Sequence, residues 1–142
     1  MNRSKKNKEI RKENDELVRK IVRRRGVCEK CGKRLAKAKG EGELGDVDHA
    51  FGKDTDGLRW LLDNLLYLCT RCHRLIKHSN AGRNTEKEFR AWFIEKYPEK
   101  YEKIKQVMYR VNIVNPYEVN EMLKRCCDSD DSRHSSNQQK YS

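Results

Sequence analysis

Residues 65–77 read LLYLCTRCHRLIK. An apolar run, LLYL, ends in a CxxC pair with a histidine directly behind it, and the fold turns on whether Cys69, Cys72 and His73 serve one metal ion or two. Four consecutive apolar residues read as a short buried strand, and TRCHRLIKH begins a helix whose end is signalled by SNAG at 79–82. Upstream, DVDHAF at 46–51 reads as a short strand end, and the intervening GKDTDGLRWLLDN as a loop rich in turn residues. The local order is therefore strand, loop, strand, helix.

The chain has 142 residues, of which 35% are apolar and 39% charged. One domain of that size buries roughly two thirds of its unfolded surface, and a core this poor in apolar residues needs a further source of stability. Six cysteines could supply it. No apolar run approaches the roughly 20 residues that span a bilayer, and MNRSKKNKEIRKEN has no apolar segment behind its basic start. Neither a membrane span nor a secretory signal is expected, and the chain reads as intracellular and cytoplasmic. In a reducing compartment, separated CxxC pairs are more readily metal ligands than disulfides.

Cys28 with Cys31 and Cys69 with Cys72 form two such clips, separated by 37 residues. Together they supply the four thiolates that a tetrahedral, all-cysteine zinc site requires. One structural Zn2+ would pin the rim of the strand and loop unit to its helix and replace part of the missing core with coordination free energy. Disulfides or independent buried thiols are the rival readings. Cys126 and Cys127 are adjacent and make no CxxC clip, and Cys126 already has a place on an apolar helical face.

The net charge of +11 is unevenly placed: residues 1–25 hold 11 basic and 4 acidic side chains, whereas 46–82 hold five of each. Ile10, Leu17, Val18, Ile21 and Val22 recur with helical spacing, with Lys12, Arg19, Lys20 and Arg23 on the opposite side. This predicts a basic amphipathic helix within 1–25, ended by Gly26, whose charged stripe faces either solvent or the phosphates of a nucleic acid. Three more helices follow. Thr85 and Glu88 suggest a capping box ahead of FRAWF, Tyr101, Ile104, Met108 and Val111 form a second stripe, and Val119, Met122, Leu123 and Cys126 a third that starts near NPYE. The organisation expected is a basic helix at 1–25, a zinc-stapled core at 26–82, a helical extension packed on it at 83–127, and a disordered polar tail at 128–142.

If the thiolates complete one site, His73 is free for another. It could meet Asp48 and His49 from the first strand, and a carboxylate with an imidazole suits a hard divalent ion such as Mg2+ or Mn2+. His49 would then stand beside that ion, where a neutral imidazole can take a proton from attacking water. Asp46 shares the face of Asp48, as an alternate or supporting carboxylate or as a solvated acid.

DVDH, Asn64 and LCTRCHRLIK together resemble the HNH, or ββα-metal, nuclease family in its zinc-containing CxxC form. The resemblance covers about residues 26–80 and implies an α+β fold with a ββα-metal core stapled by the four-cysteine zinc, flanked by the basic helix and the C-terminal helices. It implies Asp48 and His73 as ligands of the catalytic ion, His49 as general base and Asn64 as the residue that steadies the loop behind that base. More narrowly, DGLRWLLDNLLYLCTRCHRLI followed by FRAWFIEKYPEKYEKI is similar to phage recombination endonucleases of the NinG or Rap type. That implies action on branched DNA inside a host cell, for which a homodimer cutting two strands symmetrically would be suited. Some family members carry a further ligand one helical turn beyond the last histidine; here that position is Lys77, which could instead meet a phosphate, and His78 is one residue out of phase.

The leading expectation is a metal-dependent DNA endonuclease. The alternative from another class is a non-catalytic, zinc-stabilised nucleic-acid-binding protein, which does not require Asp48, His49 and His73. A zinc-dependent protein-binding domain would leave both that trio and the basic stripe without a role. Catalysis at the four-cysteine zinc is disfavoured, because four thiolates leave no open position for water.

Overall fold

The computed structural model describes residues 3–77, 83–109 and 114–141, and the side chains of 5–75, 86–109 and 114–128. Helix α1 (Arg3–Arg23) buries Val18, Ile21 and Val22 and exposes Lys12, Arg19 and Lys20, as its periodicity predicts. Past it, Gly26 adopts φ +73°, the left-handed conformation that glycine takes without a Cβ clash, and its N–H bonds the Arg23 carbonyl at 3.1 Å.

Strands β1 (Asp46–His49) and β2 (Leu65–Leu68) form a two-stranded antiparallel sheet in the register Asp46 to Leu68, Val47 to Tyr67, Asp48 to Leu66 and His49 to Leu65. Between them lie the short helix α2 (Asp56–Arg59), capped by the Thr55 hydroxyl, and a 3-10 turn at Leu62–Asn64. Helix α3 (Thr70–Lys77) leaves β2 directly. All four residues of β2 are fully buried, since α1 and α3 both pack on the hairpin; this explains why LLYL is continuously apolar rather than alternating. Gly45 makes the entry to β1 possible, because a Cβ there would overlap the Leu68 carbonyl and come within 2.8 Å of Leu35 Cδ1.

The remaining helices are α4 (Arg83–Lys96), α5 (Pro98–Met108) and α6 (Pro116–Tyr141). Helix α4 starts two residues before Thr85, the cap suggested by sequence; nothing in Arg83–Asn84 opposes a helix, so the boundary moved outward. Pro98 sits at the start of α5 and separates it from α4. Phe51, from the loop after β1, packs edge-on to Phe93 and stacks with Tyr101, with centroids 5.8 and 5.3 Å apart. Helix α6 runs to Tyr141 as helical backbone where composition predicts a disordered tail; beyond Pro116 it contains neither proline nor glycine to interrupt it. Val111 and His78 lie outside the described residues.

The result is an α+β fold with one continuous apolar cluster drawn from α1, the hairpin, α2, α3, α4, α5 and α6. Helix α1 lies against α6 as well as the hairpin, and the contact with α6 is partly polar. Buried Asn14 donates to the Pro116 carbonyl and accepts from Asn120, each at 3.0 Å, and Arg24 donates to the Cys127 carbonyl at 2.7 Å. Among the described residues, no helix is long and apolar enough to cross a membrane.

Candidate metal centre and hairpin site

The first CxxC lies in a tight turn closed by an antiparallel bridge between Val27 and Arg34. Within it, Cys28 N–H donates to the Lys33 carbonyl and Gly32 N–H to the Cys28 carbonyl, both at 2.8 Å. The second clip straddles the junction of β2 and α3, with Cys72 N–H 3.5 Å from Cys69 Sγ. All four sulfurs lie within 4.8 Å of one another, and Cys31 and Cys69 Sγ are 3.8 Å apart. Sulfurs at the corners of a tetrahedron with Zn–S bonds of about 2.3 Å are about 3.8 Å apart. The donor set and its spacing therefore fit a zinc ion, and none of the cysteines is in a disulfide.

The thiols do not share one acidity. Burial pushes Cys28 up, but the backbone N–H groups of Cys31, Cys69 and Lys30 outweigh it and bring the thiol down to about 7. Burial and the neighbouring sulfurs push Cys72 upward. A divalent ion at the centre reverses that second effect by favouring four thiolates together.

Glu29, inside the first clip, ties the metal centre to the hairpin. Its carboxylate accepts from Tyr67 N–H at 2.9 Å and from Arg25 at 2.6 Å, while its own N–H donates to the Tyr67 carbonyl at 2.8 Å. Lys100 approaches the other carboxylate oxygen at 3.6 Å, and Tyr97 OH donates to the Glu29 carbonyl at 3.0 Å. Sequence reading gave Glu29 no role.

The second group of expected site residues lies where β1 meets α3. Asp48 Oδ2 and His73 Nδ1 are 3.9 Å apart, and Asp48 Oδ1 accepts from the His49 backbone N–H at 2.9 Å. Among the described residues, the four cysteines are the sole cluster of three or more potential metal-ligating side chains; Asp48 and His73 are a pair. His49 Nε2 is 3.0 Å from the Arg59 carbonyl. A carbonyl oxygen only accepts, so Nε2 carries the proton and Nδ1 keeps its lone pair. Burial moves the His49 pKa downward, against the raising effects of the Arg59 carbonyl and Asp48, which favours the neutral ring.

Buried Asn64 spans the connecting loop. Its Oδ1 accepts from Phe51 N–H at 2.9 Å, and its Nδ2 donates to the carbonyls of Gly52 and Leu58 at 2.9 and 3.0 Å. A cleft of about 220 Å³ opens between α1 and the hairpin, lined by Asp15, Arg19, Asp48, His49, Lys53 and Arg59 among others. Arg19 and Lys53 are exposed there.

Two contacts from α1 had no counterpart in the sequence reading. Asp15 accepts from Arg59 Nε at 2.8 Å and from Trp60 Nε1 at 2.9 Å, and Arg11 donates through both terminal nitrogens to Asp56 at 2.5 and 2.6 Å. Burial raises the Asp15 pKa, but the donors Arg59 and Trp60 outweigh it and hold the group below its ordinary value. Arg59 is thus engaged within the protein rather than presented to a phosphate. The signal that could have found Asp15 is its phase, since Arg11 and Asp15 continue the spacing of Val18 and Val22 toward the N-terminus. Compared with known proteins, the chain matches no family model, no curated protein and no solved structure.

Proposed function

We propose that this protein is a metal-dependent DNA endonuclease of the HNH, ββα-metal type, acting on branched recombination intermediates, with the four-cysteine Zn2+ as its structural staple. The observation that carries the reading is the 3.0 Å bond from His49 Nε2 to the Arg59 carbonyl, which leaves Nδ1 as an acceptor in a ring that lines the cleft with Arg19 and Lys53. In the reaction proposed, His49 takes a proton from water as the water oxygen bonds to phosphorus. The P–O3′ bond breaks and the departing oxygen takes a proton from solvent water, leaving a 5′ phosphate and a 3′ hydroxyl, and the His49 proton is returned to solvent. Two neighbouring ligands each about 2.1 Å from one octahedral ion sit about 3.0 Å apart, so Asp48 and His73, 3.9 Å apart, would close by about 1 Å to hold one cation. When bound, Mg2+ or Mn2+ there supplies Lewis-acid stabilisation of the departing oxygen. Asn64 keeps the loop that carries the Arg59 carbonyl in place, and Arg19 and Lys53 seat the phosphate.

A second reading, a non-catalytic zinc-stabilised nucleic-acid-binding protein, is favoured by the four-cysteine cluster itself. That cluster is the metal site with a full set of donors, and it offers no open position for water. The exposed basic side of α1 serves this reading equally well.

The deciding experiment compares cleavage of a labelled four-way DNA junction and its matched linear duplex, with Mg2+ or Mn2+, by the wild type and His49→Ala. The proposal expects junction cutting that falls about 100-fold or more in the variant, with zinc content and fold unchanged. Equal cutting of both substrates would keep the enzyme and remove the branch selectivity. Tight binding without cutting under either metal would establish the binding module.

A further inference from the structure

The Arg59 carbonyl, which fixes the His49 tautomer, belongs to a residue whose side chain is held from another element. Arg59 ends α2, a four-residue helix too short to hold its own geometry in isolation. Its guanidinium donates to Asp15 of α1 through Nε at 2.8 Å and Nη2 at 2.5 Å. The next residue, Trp60, donates to the same carboxylate at 2.9 Å and is itself buried. At the other end of α2, Arg11 forks onto Asp56 and lies over the Trp60 ring at 5.4 Å. One face of α1 thus grips both ends of α2, and the gripped segment presents its last carbonyl to His49.

We infer that Asp15 is a positioning residue for His49, acting through Arg59 and Trp60 to place the carbonyl that selects the Nε2–H tautomer. Its kinetic consequence rests on the reading of His49 as general base; its effect on the imidazole does not. With Asp15 intact, Nε2 is held on the Arg59 carbonyl and Nδ1 keeps its lone pair in a ring that lines the cleft. Without it, the end of α2 loses three hydrogen bonds to one carboxylate, the carbonyl drifts, and the ring samples the Nδ1–H form, which cannot accept a proton at the cleft.

The test uses the full-length, zinc-loaded protein with 15N-labelled histidine. The wild type, Asp15→Ala and Asp15→Asn are compared by imidazole NMR, with His49→Gln to assign the signal among the four histidines. The wild type should show His49 as Nε2–H. In Asp15→Ala the ratio of Nε2–H to Nδ1–H should fall about tenfold, the effect expected for loss of one ordinary hydrogen bond. Asp15→Asn keeps one acceptor oxygen and should lie between them. On DNA, kcat should fall in proportion to the fraction of His49 in the Nε2–H form while KM stays constant. An unchanged His49 spectrum in Asp15→Ala with full zinc content would overturn the inference. Should that variant fail to fold, Arg59→Ala, which removes the anchored side chain and keeps the carbonyl, must show the same shift, and its failure to do so overturns the inference equally. Absence of cleavage by the wild type would sink the base reading alone, with the imidazole spectra still deciding the role of Asp15.

Discussion

Asn64 makes three side-chain hydrogen bonds to the backbone of the loop that separates the two strands, and it does so fully buried. Replacing it with alanine leaves Phe51 N–H and two carbonyls without that partner. The expected loss is about 2–4 kcal/mol, read from urea unfolding of the zinc-loaded protein. Asn64→Asp is the sharper test. It preserves the acceptor for Phe51 but sets a carboxylate oxygen against the Gly52 and Leu58 carbonyls, so at neutral pH it should destabilise more than alanine does. A stability equal to wild type in Asn64→Asp would mean that the loop does not depend on this amide. At this scale the sequence singles out Asp48, His49, Asn64 and His73 because a carboxylate, two imidazoles and an amide stand in one short stretch; the structure brings Asp48 and His73 to 3.9 Å and buries Asn64 in the loop, and their chemical roles belong to the proposal. Asp15 was not legible, because its partners Arg59 and Trp60 are more than forty positions away and no local spacing links them.

The zinc turn shows what holds one element to another. Both clips were legible from their spacing, and their convergence follows from one tetrahedral ion needing four thiolates. The docking of the turn onto α4 and α5 was hidden, since Glu29 and Lys30 read as ordinary charged turn residues. In the structure Lys30 Nζ lies 4.4 Å above the Trp92 ring, and Tyr97 and Lys100 reach Glu29. Zinc in such sites contributes about 10–16 kcal/mol, comparable with the whole stability of an ordinary domain, about 5–15 kcal/mol. Removal of the ion by a strong chelator should therefore release the turn and shift Trp92 emission to the red, with a large drop in the thermal midpoint. The emission change should be smaller in Trp92→Phe, where the buried Trp60 is the remaining indole. One zinc per chain by metal analysis should precede the treatment, and an unchanged midpoint after complete chelation would show that the staple is dispensable. Helix α1 was legible in existence, but its buried arc is wider than Leu17, Val18, Ile21 and Val22 indicated. Arg11, Asn14 and Asp15 also point inward, two of them to α2 and one to α6.

For the molecule as a whole, α1 has a side packed into the fold and a side that exposes lysines, and a test of DNA binding must separate them. Deleting the basic helix is the simplest way to ask whether it grips nucleic acid. In the folded protein, however, α1 supplies Val18, Ile21 and Val22 to the common core and Asp15 to the loop beside His49, so its deletion would dismantle the fold and report nothing about phosphates. The exposed side can be altered alone. Lys8, Lys12 and Lys20 project to solvent, and exposed substitutions of this kind cost about 0.5 kcal/mol or less in stability. Each lysine that meets a phosphate releases counterion on binding and adds about 0.9 to the slope of log K against log salt. The combined change of Lys8, Lys12 and Lys20 to alanine should flatten that slope by about one unit per contacting lysine and weaken binding most at low salt. The His49 spectrum and zinc content should stay the same, because none of the three lysines takes part in the contacts that Arg11 and Asp15 make with Asp56, Arg59 and Trp60. If affinity and slope match the wild type across the salt series, the basic face of α1 is a solvated surface, and the DNA path must be sought along Arg19 and Lys53 at the cleft.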